Sequence, residues 1–200
     1  MNPSHILMGY CQLEILKRLS EILIKNKMKR GLIVLSFLCA GILIYLGVTE
    51  LKSAIIRGTG NIDSIQVYKS KRKLMFFRNG DVSGEFRISL GFHPKGKKRY
   101  EKDGKTPEGL YEIDGKNAKS VAHKNLGISY PNQTDRLFAR RAGKKTGGDI
   151  KIHGLLKKYR KLGKLHRFYD WTAGCIAITD EEVDYLYKNT AVGTPIRILP

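Results

Sequence analysis

Cys175 follows a glycine in Thr172-Ala173-Gly174-Cys175-Ile176-Ala177, and Ile152-His153-Gly154 stands upstream of it. A thiol attacks a carbonyl carbon only as thiolate, so a working cysteine needs a neighbour that takes its proton or lowers its pKa. Histidine is the usual neighbour. His93, His123, His153 and His166 all fall in the C-terminal part of the chain. His153 is the best placed, because it ends the alternating stretch Asp149-Ile150-Lys151-Ile152-His153 and precedes a glycine. Its ring can therefore emerge at the end of a strand. Cys175 opens a second short strand, and two neighbouring strands entered from the same end bring the two side chains together. Gly174 permits a sharp turn at which main-chain N–H groups beside Cys175 can face a developing oxyanion. The ring of His153 also needs an orienting acceptor. The backbone carbonyl of Gly154 is the nearest, with Asp170 as the local alternative. The plainer reading makes Cys175 a small buried hydrophobe and His153 a satisfied core residue. A zinc site from Cys175, His153 and His166 has the right donor types, but neither a C-x-x-C nor an H-x-x-x-H pair occurs. No metal or cofactor is therefore expected.

The compartment sharpens the question. The 200 residues hold three cysteines, Cys11, Cys39 and Cys175. The run from Gly31 to Val48 carries no charge and includes Cys39. At about 1.5 Å per residue it reaches across a thin hydrocarbon core. Lys25, Lys27, Lys29 and Arg30 crowd its N-terminal side, which puts residues 1–30 inside and the C-terminal domain outside. Neither a small-x-small cleavage site nor a lipobox follows the pattern of a secreted leader, so the run reads as an uncleaved anchor. Cys175 is then the only thiol of the outer domain. An unpaired thiol in an oxidising compartment points to a use for it.

The formal charge is +19, and about +15 of it lies beyond residue 30. Such a surface favours anionic partners. With the basic domain outside the membrane, an acidic wall polymer or anionic lipid fits better than nucleic acid.

Four segments follow: a basic cytoplasmic stretch 1–30, a membrane helix 31–48, a linker 49–60 and a catalytic domain 61–200. Residues 4–24 carry apolar positions at helical spacing and can lie on the inner leaflet. From Asn61 the hydrophobic period becomes two, with strands around Ile65-Val67, Leu74–Phe77, Glu85–Leu90 and Leu110–Ile113. A short helix is expected over Thr134–Ala142. Thr179 with Glu182 forms a capping box that starts a second helix, and Ile196–Leu199 closes as a strand. Leu155–Tyr169, with Lys157, Lys158, Arg160, Lys161 and Lys164, reads as a solvated loop able to cover the site, and His123 and His166 read as surface residues. The expected class is mostly β with short helices, packed as a mixed sandwich or open barrel.

Residues 62–200 resemble the L,D-transpeptidase catalytic domain of bacterial cell-wall enzymes. The likeness runs through Asp103-Gly104-Lys105-Thr106-Pro107-Glu108-Gly109-Leu110-Tyr111, Ile128-Ser129-Tyr130-Pro131-Asn132, Gly147-Gly148-Asp149-Ile150-Lys151-Ile152-His153-Gly154 and Asp170-Trp171-Thr172-Ala173-Gly174-Cys175. It implies a β-sandwich-like fold, Cys175 as nucleophile and His153 as acid and base. Trp171, Thr172, Gly174 and Tyr130 are expected along the oxyanion and substrate groove. The implied substrates are peptidoglycan stem peptides, held as a thioester and passed to an amine, which a wall-attached protein can also supply. No cofactor is implied. A resting thiolate–imidazolium couple, alkylated faster than a free thiol at pH 6, is expected. Two positions depart from the commonest motif, which has His two before the cysteine and Arg or Asn two after it. Here these are Ala173 and Ala177, so another donor must meet the substrate carboxylate, with Arg136, Arg140 and Arg141 as guesses. Gly-Cys-x-Ala-x-Thr-Asp resembles a branch with hydrolytic members, including an amidase, so hydrolysis is the alternative to transfer. A wall-binding module without catalysis is the rival of another class.

Overall fold

In the computed structural model the described residues are 35–45 and 60–200. They belong to two units of the chain. Residues 35–45 form a helix, α1, whose Leu35, Phe37, Leu38, Ile42, Leu43, Ile44 and Tyr45 are all exposed. It covers the middle of the expected membrane span. Among the described residues no helix is long and apolar enough to cross a membrane. The ends of that span, the segment 1–30 and the linker up to residue 59 lie outside the described residues.

The second unit is built on one mixed sheet of eight strands in the order β3-β2-β1-β8-β4-β5-β6-β7. The strands are β1 (Ser64–Tyr68), β2 (Lys73–Arg78), β3 (Asp81–Arg87), β4 (Gly109–Ser120), β5 (His123–Ile128), β6 (Lys151–His153), β7 (Ile176–Ala177) and β8 (Pro195–Leu199). Alternation decides which side faces in. On β1, Ile65 and Val67 are buried and pair in parallel with Ile196 and Ile198 of β8. Leu74 and Phe76 of β2 continue the same face. β3 and β7 are the outer strands of this order, yet Ser89, just past β3, exchanges two main-chain hydrogen bonds of 2.9 Å with Ala177 of β7. The sheet thereby curls round until its two edges meet, giving a half-barrel filled by isoleucine, leucine and phenylalanine side chains.

Two helices close the structure. α2 (Gln133–Arg141) is capped by Asn132, whose side chain accepts from the Asp135 N–H. α3 (Asp180–Asn189) starts at the expected capping box, with the Glu182 carboxylate 3.0 Å from the Thr179 N–H. Its Val183 and Leu186 are buried in the core.

Two elements differ from expectation. The hairpin of β4 and β5 runs far beyond Ile113, through Gly115, Lys116 and Asn117, residues of low strand propensity that the sheet pairs nonetheless. The basic stretch expected as a loop is a 3-10 segment, Lys157–Phe168, kinked at Gly163 where φ is +48°. Its far end is anchored, since Arg167 is buried and donates to Glu182 at 2.5 Å. His166 beside it is buried too, not a surface residue. Glu182 therefore holds both the first turn of α3 and the end of the segment. Glu182→Ala leaves a buried guanidinium short of its counter-ion and removes a helix cap, so a loss of about 3–5 kcal/mol of stability is expected. Urea unfolding measures it, and a loss under about 1 kcal/mol would contradict this role.

Candidate active site

The pairing of β6 with β7 sets the site. Ile152 stands opposite Ile176 and His153 opposite Ala177 in a parallel register. Both isoleucines are fully buried, so their side chains take the core face. Side chains alternate along a strand, so Lys151, His153 and Cys175 share the opposite face. On the other flank Asn125 of β5 pairs with His153, which adds its side chain to that face. These residues line one cavity of about 330 Å³, with Trp171, Thr172, Ala173 and Tyr159 among its other walls. Sequence reasoning missed Asn125, because only the β5–β6 register carries it there.

His153 Nδ1 lies 2.6 Å from the Gly154 carbonyl oxygen. A carbonyl only accepts, so Nδ1 carries the hydrogen and the neutral ring presents the lone pair of Nε2. Gly154 is thus placed as the sequence suggested. A Cβ there would come within 2.6 Å of Asp180 Oδ1 and 3.0 Å of Val183 Cγ1, so only glycine fits without displacing α3. Asp170 is not near this job: its carboxylate accepts from Arg72 and from the Leu90 N–H.

The turn before Cys175 is held from within. Thr172 Oγ1 donates to the Cys175 carbonyl at 2.7 Å and accepts the Gly174 N–H at 3.1 Å. Gly174 has φ of +138°, and a Cβ would sit 2.7 Å from the Lys105 carbonyl. Thr172 and Gly174 therefore shape the turn. The N–H of Gly174 is committed to Thr172.

Trp171 is a wall of the cavity, its ring 5.7 Å from that of His153 and 4.9 Å from that of Tyr159. Its indole N–H points to His166 Nδ1 at 3.4 Å, and Ser89 Oγ lies 3.1 Å from the same nitrogen. Burial, with Arg167 and His153 nearby, pushes His166 down to about 4, so it supports Trp171 as a neutral ring. Tyr130 is elsewhere. It is buried against Tyr111, donates to the Thr146 carbonyl, and is not among the residues lining the cavity. Arg136 and Arg140 also lie apart, lining a separate surface hollow with Lys144 and Lys145. The cations that line the cavity with Cys175 are Lys151 and Lys158. Ala173 borders the cavity, whereas Ala177 is fully buried. His123 is half-buried and bonds Asp184 at 2.8 Å.

A family model for the L,D-transpeptidase catalytic domain, YkuD, matches residues 62–198. The chain belongs to the YkuD family. No curated protein sequence matches it. Among solved structures it is similar to the helical cell shape determining protein Pgp2 from Campylobacter jejuni, with 25% identity over 73% of this chain and 51% of that one and a TM-score of 0.52. The K307A mutant of that protein matches with 23% identity over 74% and 50% of the two chains and a TM-score of 0.53. An L,D-transpeptidase from Stackebrandtia nassauensis matches with 10% identity over 72% and 58% and a TM-score of 0.48. This chain thus spans about half the length of the Pgp2 structures. The family match places the YkuD domain on the half-barrel and leaves α1 outside it.

The electrostatics of the pair differ from the expected ion couple. Burial raises the Cys175 thiol above its ordinary range, and the Asp149 charge adds to the rise; the Lys151 N–H and the Lys151 and Lys98 charges offset part of it. Burial lowers the His153 imidazole, the Gly154 hydrogen bond opposing and the Lys151 charge assisting. Both shifts favour the neutral forms, thiol and imidazole, over the ion couple. The thiol is 3.6 Å from the Asp149 carbonyl, to which it donates. Alkylation of Cys175 by iodoacetamide should accordingly have a pH midpoint above that of a free cysteine and run slower than a free thiol at pH 6. A faster reaction at pH 6 would restore the ion couple.

Proposed function

We propose that this domain is a cysteine acyltransferase acting on peptidoglycan stem peptides, with Cys175 as nucleophile and His153 as general base and acid. The observation that carries this reading is the 2.6 Å hydrogen bond from His153 Nδ1 to the Gly154 carbonyl, which turns Nε2 free as a base in the cavity that holds the thiol. As sulfur attacks the scissile carbonyl, Nε2 takes its proton. Negative charge then develops on the carbonyl oxygen, not on sulfur, so the buried site never has to hold a free thiolate. The Cys175 N–H and the Asn125 amide are the donors we assign to that oxygen. His153 returns the proton to the departing amine, and the stem remains as a thioester. An amine from a second stem, or from a wall-attached protein, attacks the thioester while His153 again takes a proton. The peptide bond is exchanged, so no energy source is needed.

Hydrolysis is the second reading, and it rests on Ala173 and Ala177 in place of the usual His and Arg or Asn. Water then replaces the amine in the last step. The likeness to Pgp2 extends the proposal to cell shape. For location we propose a single-pass anchor at residues 31–48 with the domain outside the cytoplasmic membrane. The exposed apolar side chains of α1 and the lysines that precede the span support it.

Mass spectrometry of muropeptides incubated with the full chain, with and without an added amine, tests the reading. Cross-linked or amine-exchanged stems are expected for transfer and tripeptide stems for hydrolysis. Cys175→Ala should lower either product by at least about a thousandfold. Undiminished turnover by Cys175→Ala would remove the cysteine from the chemistry.

A further inference from the structure

Lys151 and Asp149 form an ion pair of 2.5 Å on the wall of the Cys175 cavity. Lys151 is one-third exposed and Asp149 four-fifths exposed. Asp149 is also a non-glycine residue with φ of +60°, a conformation that carries its carbonyl to the Cys175 thiol. The main-chain N–H of Lys151 meets the same sulfur. Both residues thus touch the thiol with backbone and each other with charge.

The remaining cations near the site are engaged differently. Lys98 is buried and bonds Asp103 at 2.8 Å and the Tyr100 carbonyl at 3.0 Å. Lys158 rests its ammonium 4.7 Å over the Tyr159 ring. The family's usual cationic position after the cysteine is Ala177, fully buried here. Lys151 is therefore the cation beside the sulfur whose partner is a mobile-length, exposed carboxylate that a second carboxylate can replace at little cost.

We propose that Lys151 anchors a free carboxylate on the leaving residue of the acyl donor, and that the Asp149 side chain occupies that anchor until the donor displaces it. The proposal deepens the acyl-transfer reading and rests on Cys175 as its nucleophile. The donor that this anchor serves is a peptide whose scissile bond is followed by a terminal residue with an unblocked carboxyl group. A donor amidated at that terminus, or one continuing into further chain, gains nothing from Lys151. Asp149 then acts as an internal competitor, and its removal strengthens donor binding.

Two alkylating agents of equal reach test the anchor without any peptide turnover. Iodoacetate carries a carboxylate and iodoacetamide does not. The rate ratio at Cys175 is read by mass spectrometry of its peptide from the full chain, so that Cys11 and Cys39 are counted apart. Lys151→Met should cut the iodoacetate-to-iodoacetamide ratio about fivefold, and Asp149→Asn should raise it by two- to fivefold, roughly the scale of an exposed ion pair. Asn tolerates the positive φ and keeps the carbonyl at the thiol. The double variant should behave as Lys151→Met. An unchanged ratio in Lys151→Met overturns the proposal. A gain from Asp149→Asn that survives without Lys151 also overturns it, since Asp149 would then be acting on the sulfur directly. With a stem tetrapeptide, Lys151→Met should raise KM and leave kcat within about twofold, and a C-terminally amidated tetrapeptide should not respond. A chain that turns over no stem peptide yet keeps the Lys151-dependent ratio would retain the anchor and refute the peptidoglycan reading instead.

Discussion

The register of two very short strands governs this domain. Ile152 against Ile176 sends one pair of side chains into the core, and the pleat sends His153 and Cys175 to the other face. A slip by one residue would turn the imidazole and thiol toward the core and the two isoleucines away from it, so the hydrophobic core itself enforces the pairing that sets His153 and Cys175 on one face. The strands are too short to hold that register alone. β5 supports β6 from one side, and the bridge between Ser89 and Ala177 supports β7 from the other. The half-barrel is thereby the device that keeps a two-residue strand in place.

Much of this was legible in the residues. The strands with strict alternation, the capping box of α3 and the Gly154 carbonyl beside His153 all follow from local rules of pattern and hydrogen bonding. What the sequence could not show depends on contacts far along the chain. Asn125 enters the site only through cross-strand pairing. His166 is buried because Arg167 finds Glu182, a partner in the next helix. Tyr130 has the composition of a groove residue but packs on Tyr111, and Asp170 is drawn away by Arg72. Arg136 and Arg140 satisfied a need for positive charge by residue type alone, and α2 places them at another hollow. Thr172 and Gly174, expected along the oxyanion and substrate groove, build the turn that carries the cysteine.

Burial also favours the neutral forms of the pair. Taking an ion from water into a site this enclosed is costly, and separating charge between sulfur and imidazole would incur that cost twice. A neutral pair avoids it, and in the proposed reaction proton transfer waits until the substrate carbonyl is there to take the charge. A cysteine that rests as a thiol is also less prone to oxidation than a standing thiolate, which suits a sulfur with no disulfide partner in its unit.

The protonation state of His153 is the most direct test of this account. Long-range proton–nitrogen correlation NMR on the nitrogen-labelled chain at pH 7 should find His153 neutral, with the hydrogen on Nδ1 and Nε2 bare. An imidazolium, or a ring carrying its hydrogen on Nε2, would contradict the arrangement in which the Gly154 carbonyl leaves Nε2 free as a base in the cavity that holds Cys175.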